Sequence, residues 1–338
     1  MTSSATIKLE IGNAIPAGNE HETAAFLALW QEIGDFFRQR PFTARTGRNG
    51  DSGRFRVTLD ANSLVNALEA ARSQSETLTG HQLARVEDPG TAIDATLVLD
   101  IAREDGGLDE EASYHVATVF FQDLVMAAHI ARPGSIQILD ARFSGAGAHR
   151  YEAQSFDSEL PYGALKAAAD HGWPELRAPA FEAVWSWLEG SETSARDTAI
   201  KRINKALFTL LKITQQRDEH SARASLLVMY LLEVLLGCRR ANSLKPLTQR
   251  IPMILGPIPD LADRLADLYE ARNELFIGAH PVRRPPLIRR NRAGVLREQT
   301  GQYHSAVDAG LAIALALLQD LVAHGAYRYE FTETLTRS

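Results

Sequence analysis

Residues 222–237, Ala-Arg-Ala-Ser-Leu-Leu-Val-Met-Tyr-Leu-Leu-Glu-Val-Leu-Leu-Gly, read as a helix that is apolar nearly all round, with Glu233 as its one acid. Such a helix cannot keep one face wet, so it needs neighbours on most sides and belongs in the middle of a bundle. It is not a membrane span. The uncharged run 226–232 stops at Glu233 and the run 310–318 stops at Gln319 and Asp320, whereas a bilayer crossing needs roughly 18–20 residues.

The flanking sequence supplies the neighbours. Residues 195–216 carry Ile203, Ala206, Leu207, Leu210 and Ile213 on one stripe, and residues 302–324 carry Val307, Leu311, Ala314, Leu318 and Leu321. Residues 261–277 form a third amphipathic helix, preceded by Asp260 as N-cap and closed by Gly278 and Pro281. Between them, 245–259 contains Pro246, Pro252, Pro257 and Pro259, which predicts only short helical turns, and 282–300 is a Pro- and Arg-rich loop. Four main helices with a long third connection make a helical bundle.

The first half has a different rhythm. Residues 6–11 alternate, with Ile7, Leu9 and Ile11 on one side, and 54–59 do the same through Phe55, Val57 and Leu59. Residues 95–101 and 136–143 are further β-rich runs. Helical stretches at 22–37, 62–72 (after Asp60) and 110–131 lie between them. The fold class is therefore α+β: an N-terminal mixed α/β domain over 1–160, a Trp-rich connector over 161–194 and an all-α bundle over 195–338. Trp173, Trp185 and Trp187 fall within fifteen residues of that connector, a density that suits packing between two halves better than ligand stacking. The glycine-bearing segments 45–53 and 144–147 are read as loops. Neither Gly-x-Gly-x-x-Gly nor Gly-x-x-x-x-Gly-Lys occurs, so no phosphate-cradling loop is expected.

Charge separates the halves as well. The net charge is −6, but residues 1–190 carry 15 Lys/Arg against 27 Asp/Glu and residues 191–338 carry 21 against 15. The basic half is the candidate for a polyanion. One cysteine, Cys238, rules out an intramolecular disulfide and a thiolate zinc cluster. With no His-Glu-x-x-His helix or other metal spacing, neither metal nor cofactor is expected. The first residues lack a basic and then apolar leader, and the expectation is a soluble cytoplasmic protein.

The most informative stretch is Leu265-Ala-Asp-Leu-Tyr-Glu-Ala-Arg-Asn-Glu-Leu-Phe-Ile-Gly-Ala-His280. Arg272 lies seven residues after Leu265 and four after Leu268, so it falls on the apolar stripe. A guanidinium there is costly unless it is paired or lines a cleft. One reading is an ion pair with Glu233, which the spacing favours. The other is a cleft arginine meeting phosphate, for which its planar fork is suited.

Residues of about 195–325 resemble a HEPN domain of the Apea-like branch. The resemblance rests on the Lys201 to Ile213 helix, the Leu-rich block 226–237 and Leu268-Tyr-Glu-Ala-Arg-Asn-Glu-Leu-Phe-Ile-Gly278. It implies a metal-independent endoribonuclease of a toxin or anti-phage system, acting as a homodimer through the bundle. The implied catalytic set is Arg272, Asn273 and a histidine a few residues on. Ile277 stands where the family pattern would place that histidine; the nearest one is His280. In a continuous helix, eight steps separate Arg272 and His280 by about 12 Å. His280 as base would deprotonate a ribose 2′-hydroxyl while Arg272 stabilises charge on the phosphate and Asn273 orients it. The alternative is an inactive HEPN module that binds RNA, nucleotide or a protein. Arg283, Arg284, Arg289, Arg290, Arg292 and Arg297 follow with no intervening acid and are expected to contact RNA backbone.

Overall fold

The computed structural model describes residues 4–12, 14–16, 18–48, 51–73, 94–145, 147–194, 197–215, 222–238, 243–279 and 301–332. The protein is α+β: an antiparallel sheet with helices, followed by a region of helices only. Strands β1 (Ser4–Gly12), β2 (Phe42–Arg48), β3 (Asp51–Asp60), β4 (Ala95–Arg103) and β5 (Leu139–Ser144) pair in the order β2-β3-β4-β1-β5. The alternation predicted for β1 and β3, which β4 shares, sets which face is dry. Ile7, Leu9, Ile11, Phe55, Val57, Leu59, Leu97, Leu99 and Ile101 are buried, while Thr6, Lys8, Arg54, Arg56 and Asp100 on the opposite face are exposed. Helices α1 (Glu20–Gln39), α2 (Asn62–Ser73) and α3 (Glu110–Ala131) cover the dry face. Their starts are encoded locally. Asn19 and Glu22 close a capping box at α1, and Asp109 accepts from the Ala112 N–H at α3.

Two elements of this half differ from the sequence expectation. Residues 45–53 are not a glycine loop but the arms of the β2–β3 hairpin, paired from Phe42↔Val57 to Arg48↔Asp51. The run 136–143 contributes a shorter strand: Ile138 bridges to Phe156, and β5 begins at Leu139, with an irregular register against β1 between Glu10 and Gly12.

The connector is more helical than its prolines suggest. It holds α4 (Glu159–His171) and α5 (Phe181–Ser191). Trp185 is packed among Phe37, Phe42, Phe120 and Phe181, so α5 is wedged against α1 and α3. The Trp187 indole donates to the Ala326 carbonyl at 2.8 Å and stacks on Tyr327. Packing, as expected, is what these aromatics do.

The helical half consists of α6 (Arg202–Thr214), α7 (Ala222–Leu235), α8 (Leu244–Leu255), α9 (Leu261–Phe276) and α10 (Gly301–Ala323). The apolar helix α7 is the one wrapped by α6, α9 and α10. Gly310 lets α10 approach both α9 and α7 closely, since a Cβ there would lie 2.7 Å from Leu268 and 2.9 Å from Val228. α6 starts seven residues later than predicted. α8 is a three-turn helix where only short turns were expected; Pro246 occupies its first turn, where no N–H is needed, and Pro252 lies inside it. Within α10, Ser305–Ala323 is long and apolar enough to cross a membrane, and 78% of that stretch is buried inside the molecule. α10 serves as a core helix, packed on α4, α7 and α9.

Candidate functional site

α9 delivers Arg272 to the face of α7 that carries Glu233. The ion pair anticipated from the spacing is present: Arg272 Nη1 donates to Glu233 Oε1 at 2.9 Å, each side chain being 21% exposed. The same carboxylate oxygen accepts from the fully buried Ser243 hydroxyl at the start of α8, at 2.5 Å. The Arg272 guanidinium also lies over two rings of its own helix, 5.4 Å from the Tyr269 centroid and 5.6 Å from that of Phe276. These are its i−3 and i+4 neighbours, so one helical face assembles an arginine between aromatic walls. No other hydrogen bond to the guanidinium occurs among the described residues. Asn273 is half-buried, and its side-chain amide has no partner among the described residues.

The end of α9 is built by Gly278. With φ at +72°, it lets the Ala279 N–H reach the Glu274 carbonyl at 2.9 Å and places its own N–H toward Leu275 at 3.4 Å. This is the Schellman pairing that closes a helix. The helix therefore ends at Phe276, with Ile277 as its C-cap. His280 itself lies outside the described residues, as do Arg283, Arg284, Arg289, Arg290, Arg292 and Arg297. Ile277, in the position where the resemblance calls for histidine, is 76% exposed beside Phe276 at 65%. Arg272, Asn273, Glu233 and Ile277 are thus gathered at one end of α9. Asp260, expected as N-cap of α9, holds a left-handed backbone and makes no side-chain cap.

Sequence reasoning missed Ser243, Tyr269 and Phe276. The two aromatics were legible from helix spacing relative to Arg272; Ser243 meets Glu233 only in the tertiary structure. Among the described residues no group of three His, Cys, Asp or Glu side chains could hold a metal. Compared with known protein families, curated proteins and solved structures, the chain has no match.

Proposed function

We propose that the helical half is a HEPN-type RNA-acting module, with Arg272 as its phosphate contact and the arginines from 283 to 297 extending the track. One observation carries this reading: a guanidinium tethered by a single Nη to Glu233, framed by Tyr269 and Phe276, with the rest of its fork unbonded among the described residues. Glu233 fixes the orientation of the fork, the rings fix its plane, and a bidentate phosphate matches what remains. Asn273 stands one residue on as a hydrogen-bonding partner for ribose or phosphate. Exposed Phe276 and Ile277 beside the site suit burial against a second copy, in line with a homodimer through the bundle. A toxin or anti-phage setting follows from the same resemblance.

Metal-independent cleavage is the second reading, supported by the adjacency of Arg272 and Asn273. It requires His280 as base, because Ile277 has no proton to give or take. The test is incubation of the full chain with mixed RNA in EDTA, alongside Arg272→Ala and His280→Ala. RNA retention that depends on Arg272 supports the module. Cleavage lost in both variants adds the enzymatic reading, and cleavage untouched by His280→Ala removes that residue. A chain that neither retains nor cuts RNA overturns the proposal. Ile277→His probes the same scaffold from the other side: cleavage gained there shows that only the proton-transfer group was missing.

A further inference from the structure

The apolar helix α7 has one side that its neighbours leave open. Tyr230 and Glu233 on the helix, with Gly237 just past its end, recur at i, i+3 and i+7 and so share a face. Tyr230 is 41% exposed and Glu233 and Gly237 are half-buried, whereas Val228, Met229, Leu231, Leu232, Leu235 and Leu236 are buried. Tyr230 thus turns ring surface to solvent from a helix that buries most of its large side chains. Its hydroxyl has no hydrogen-bond partner among the described residues.

Two guanidiniums flank that face. From α9, Arg272 is held on Glu233. From α6, Arg202 lies against Gly237: a Cβ on that glycine would fall 2.5 Å from Arg202 Nη1, so the guanidinium fills the room a side chain there would take. Glu233 and Gly237 are about one helical turn apart. Arg202 is half-buried and bonds to no group among the described residues. The negative end of the α7 dipole favours a cation here, but it gives Arg202 no acceptor, and it is Arg250 that takes the Leu236 carbonyl, at 2.8 Å. No carboxylate answers Arg202 either. α6 has no acid, and Glu233, the one acid of α7, is engaged by Arg272 and Ser243. Asp263, Asp267, Glu270 and Glu274 fall on the far side of α9 from Arg272 by helical periodicity. Ahead of α6, Glu192 pairs with Lys201 at 2.9 Å, and exposed Asp197 makes no ion pair among the described residues. Residues 239–242 lie outside the described residues and contain no acid.

We propose that this open face of α7 is a one-nucleotide subsite for single-stranded RNA, with Tyr230 stacking the base and Arg202 and Arg272 holding the phosphates on either side of it. The inference rests on the RNA reading above and extends it to α6 and α7. Two guanidiniums against one engaged carboxylate leave a positive surplus, which a phosphate backbone complements. Between them, the exposed ring offers a flat apolar surface, which an unstacked base matches. An unpaired nucleotide supplies both partners at once. A duplex does not, because its bases are already stacked and paired, and a free phosphate would leave the ring uncovered.

The test is binding of a short single-stranded RNA by the full chain across a salt series, with Arg202→Gln, Tyr230→Ala and Tyr230→Phe beside the wild type. Arg202→Gln is expected to lower the log–log salt slope by about 0.7, the share of one phosphate. Tyr230→Ala is expected to weaken binding by about 5- to 150-fold, the range for one stacked base, with the slope unchanged. Tyr230→Phe keeps the ring and is expected to bind as the wild type does. On a ribose–phosphate strand of the same length without bases, the Tyr230→Ala loss should vanish while the Arg202→Gln change in slope remains. The wild type should also bind that strand more weakly, a readout that needs no variant to fold. Wild-type binding that depends on Arg272 while either the Arg202→Gln slope or the Tyr230→Ala affinity is unchanged overturns the subsite and leaves the RNA reading standing. Absence of salt-sensitive binding by the wild type removes both. Sedimentation of the RNA-free chains tests the other occupant: a dimer that Tyr230→Ala dissociates gives this face to a second copy and overturns the subsite.

Discussion

At the scale of single residues, Arg272 and Glu233 need each other. Each side chain is about four-fifths buried, so removing one leaves the other charged and short of partners. Glu233→Gln is expected to destabilise the chain by about 1–3 kcal/mol, and the double variant Glu233→Gln with Arg272→Met by less than the Glu233→Gln and Arg272→Met losses combined. Urea unfolding of the four chains gives this coupling directly. Glycines make a second residue-scale contrast. A Cβ at Gly34 in α1 meets nothing within 4 Å, so Gly34→Ala gains helix propensity, about 0.5–1 kcal/mol. Gly310→Ala pushes into Leu268 and Val228 and is expected to cost about 1–3 kcal/mol. Opposite shifts of the urea midpoint for the same substitution would bear this out. The Arg272–Glu233 pairing was legible because helix periodicity puts the arginine on an apolar stripe and α7 holds one acid. Ser243 was not legible, since nothing local links it to a carboxylate ten residues earlier.

At the scale of elements, what sequence periodicity captures is amphipathic contrast. α1, α3, α9 and α10 were legible because large apolar side chains recur at helical spacing, and β1, β3 and β4 because one face of the sheet is dry and the other wet. β2 was missed for the converse reason: it is an edge strand with one large apolar residue, Phe42, and its identity comes from pairing with β3. α4 was missed because its buried face is made of Leu160, Ala164 and Ala168, and small residues give little contrast even though they let it pack closely on α10. α8 was masked by its prolines: Pro246 falls in a first turn, which tolerates it, and Pro252 lies inside the helix without ending it. At the end of α9, Gly278 carries the stop signal. Gly278→Ala meets no steric neighbour but must hold φ near +72°, so a loss of about 1 kcal/mol is expected. The complementary readout is amide exchange at Ala279, whose hydrogen bond to Glu274 should open more readily.

At the scale of the whole molecule, buried Asp123 and His129 and half-buried Asp308 contribute to how stability follows pH. Burial raises Asp123 to about 7 and, with Glu159 nearby, Asp308 to about 7; it lowers His129 to about 3. A carboxyl held neutral in the folded chain releases its proton on unfolding. The two aspartates therefore stabilise the fold fully below about pH 4, and this contribution is lost as pH rises toward 7. His129 acts oppositely: the unfolded chain takes up a proton below about pH 6.5, so its share of stability falls from there toward pH 3. From these three groups, stability should rise as pH falls from about 7.5, steepening until about pH 6.5 and then holding a slope of about one proton down to about pH 5, where one histidine opposes two carboxyls. Thermal melts of the wild type, Asp123→Asn and Asp308→Asn over that range check it, each variant being expected to flatten the curve. The same molecule joins an acidic α/β half to a basic helical half, and we propose that the basic half meets RNA through Arg272. The most direct measurement is the salt dependence of single-stranded RNA affinity for the full chain. Each phosphate contact contributes about 0.7 to the log–log slope. Arg272→Ala is expected to weaken binding and lower the slope by about 0.7, and replacing Arg283, Arg284, Arg289 and Arg290 with glutamine to lower it by up to about 2.8. Affinity and slope unchanged in Arg272→Ala, or no salt-sensitive binding by the wild type, would contradict it.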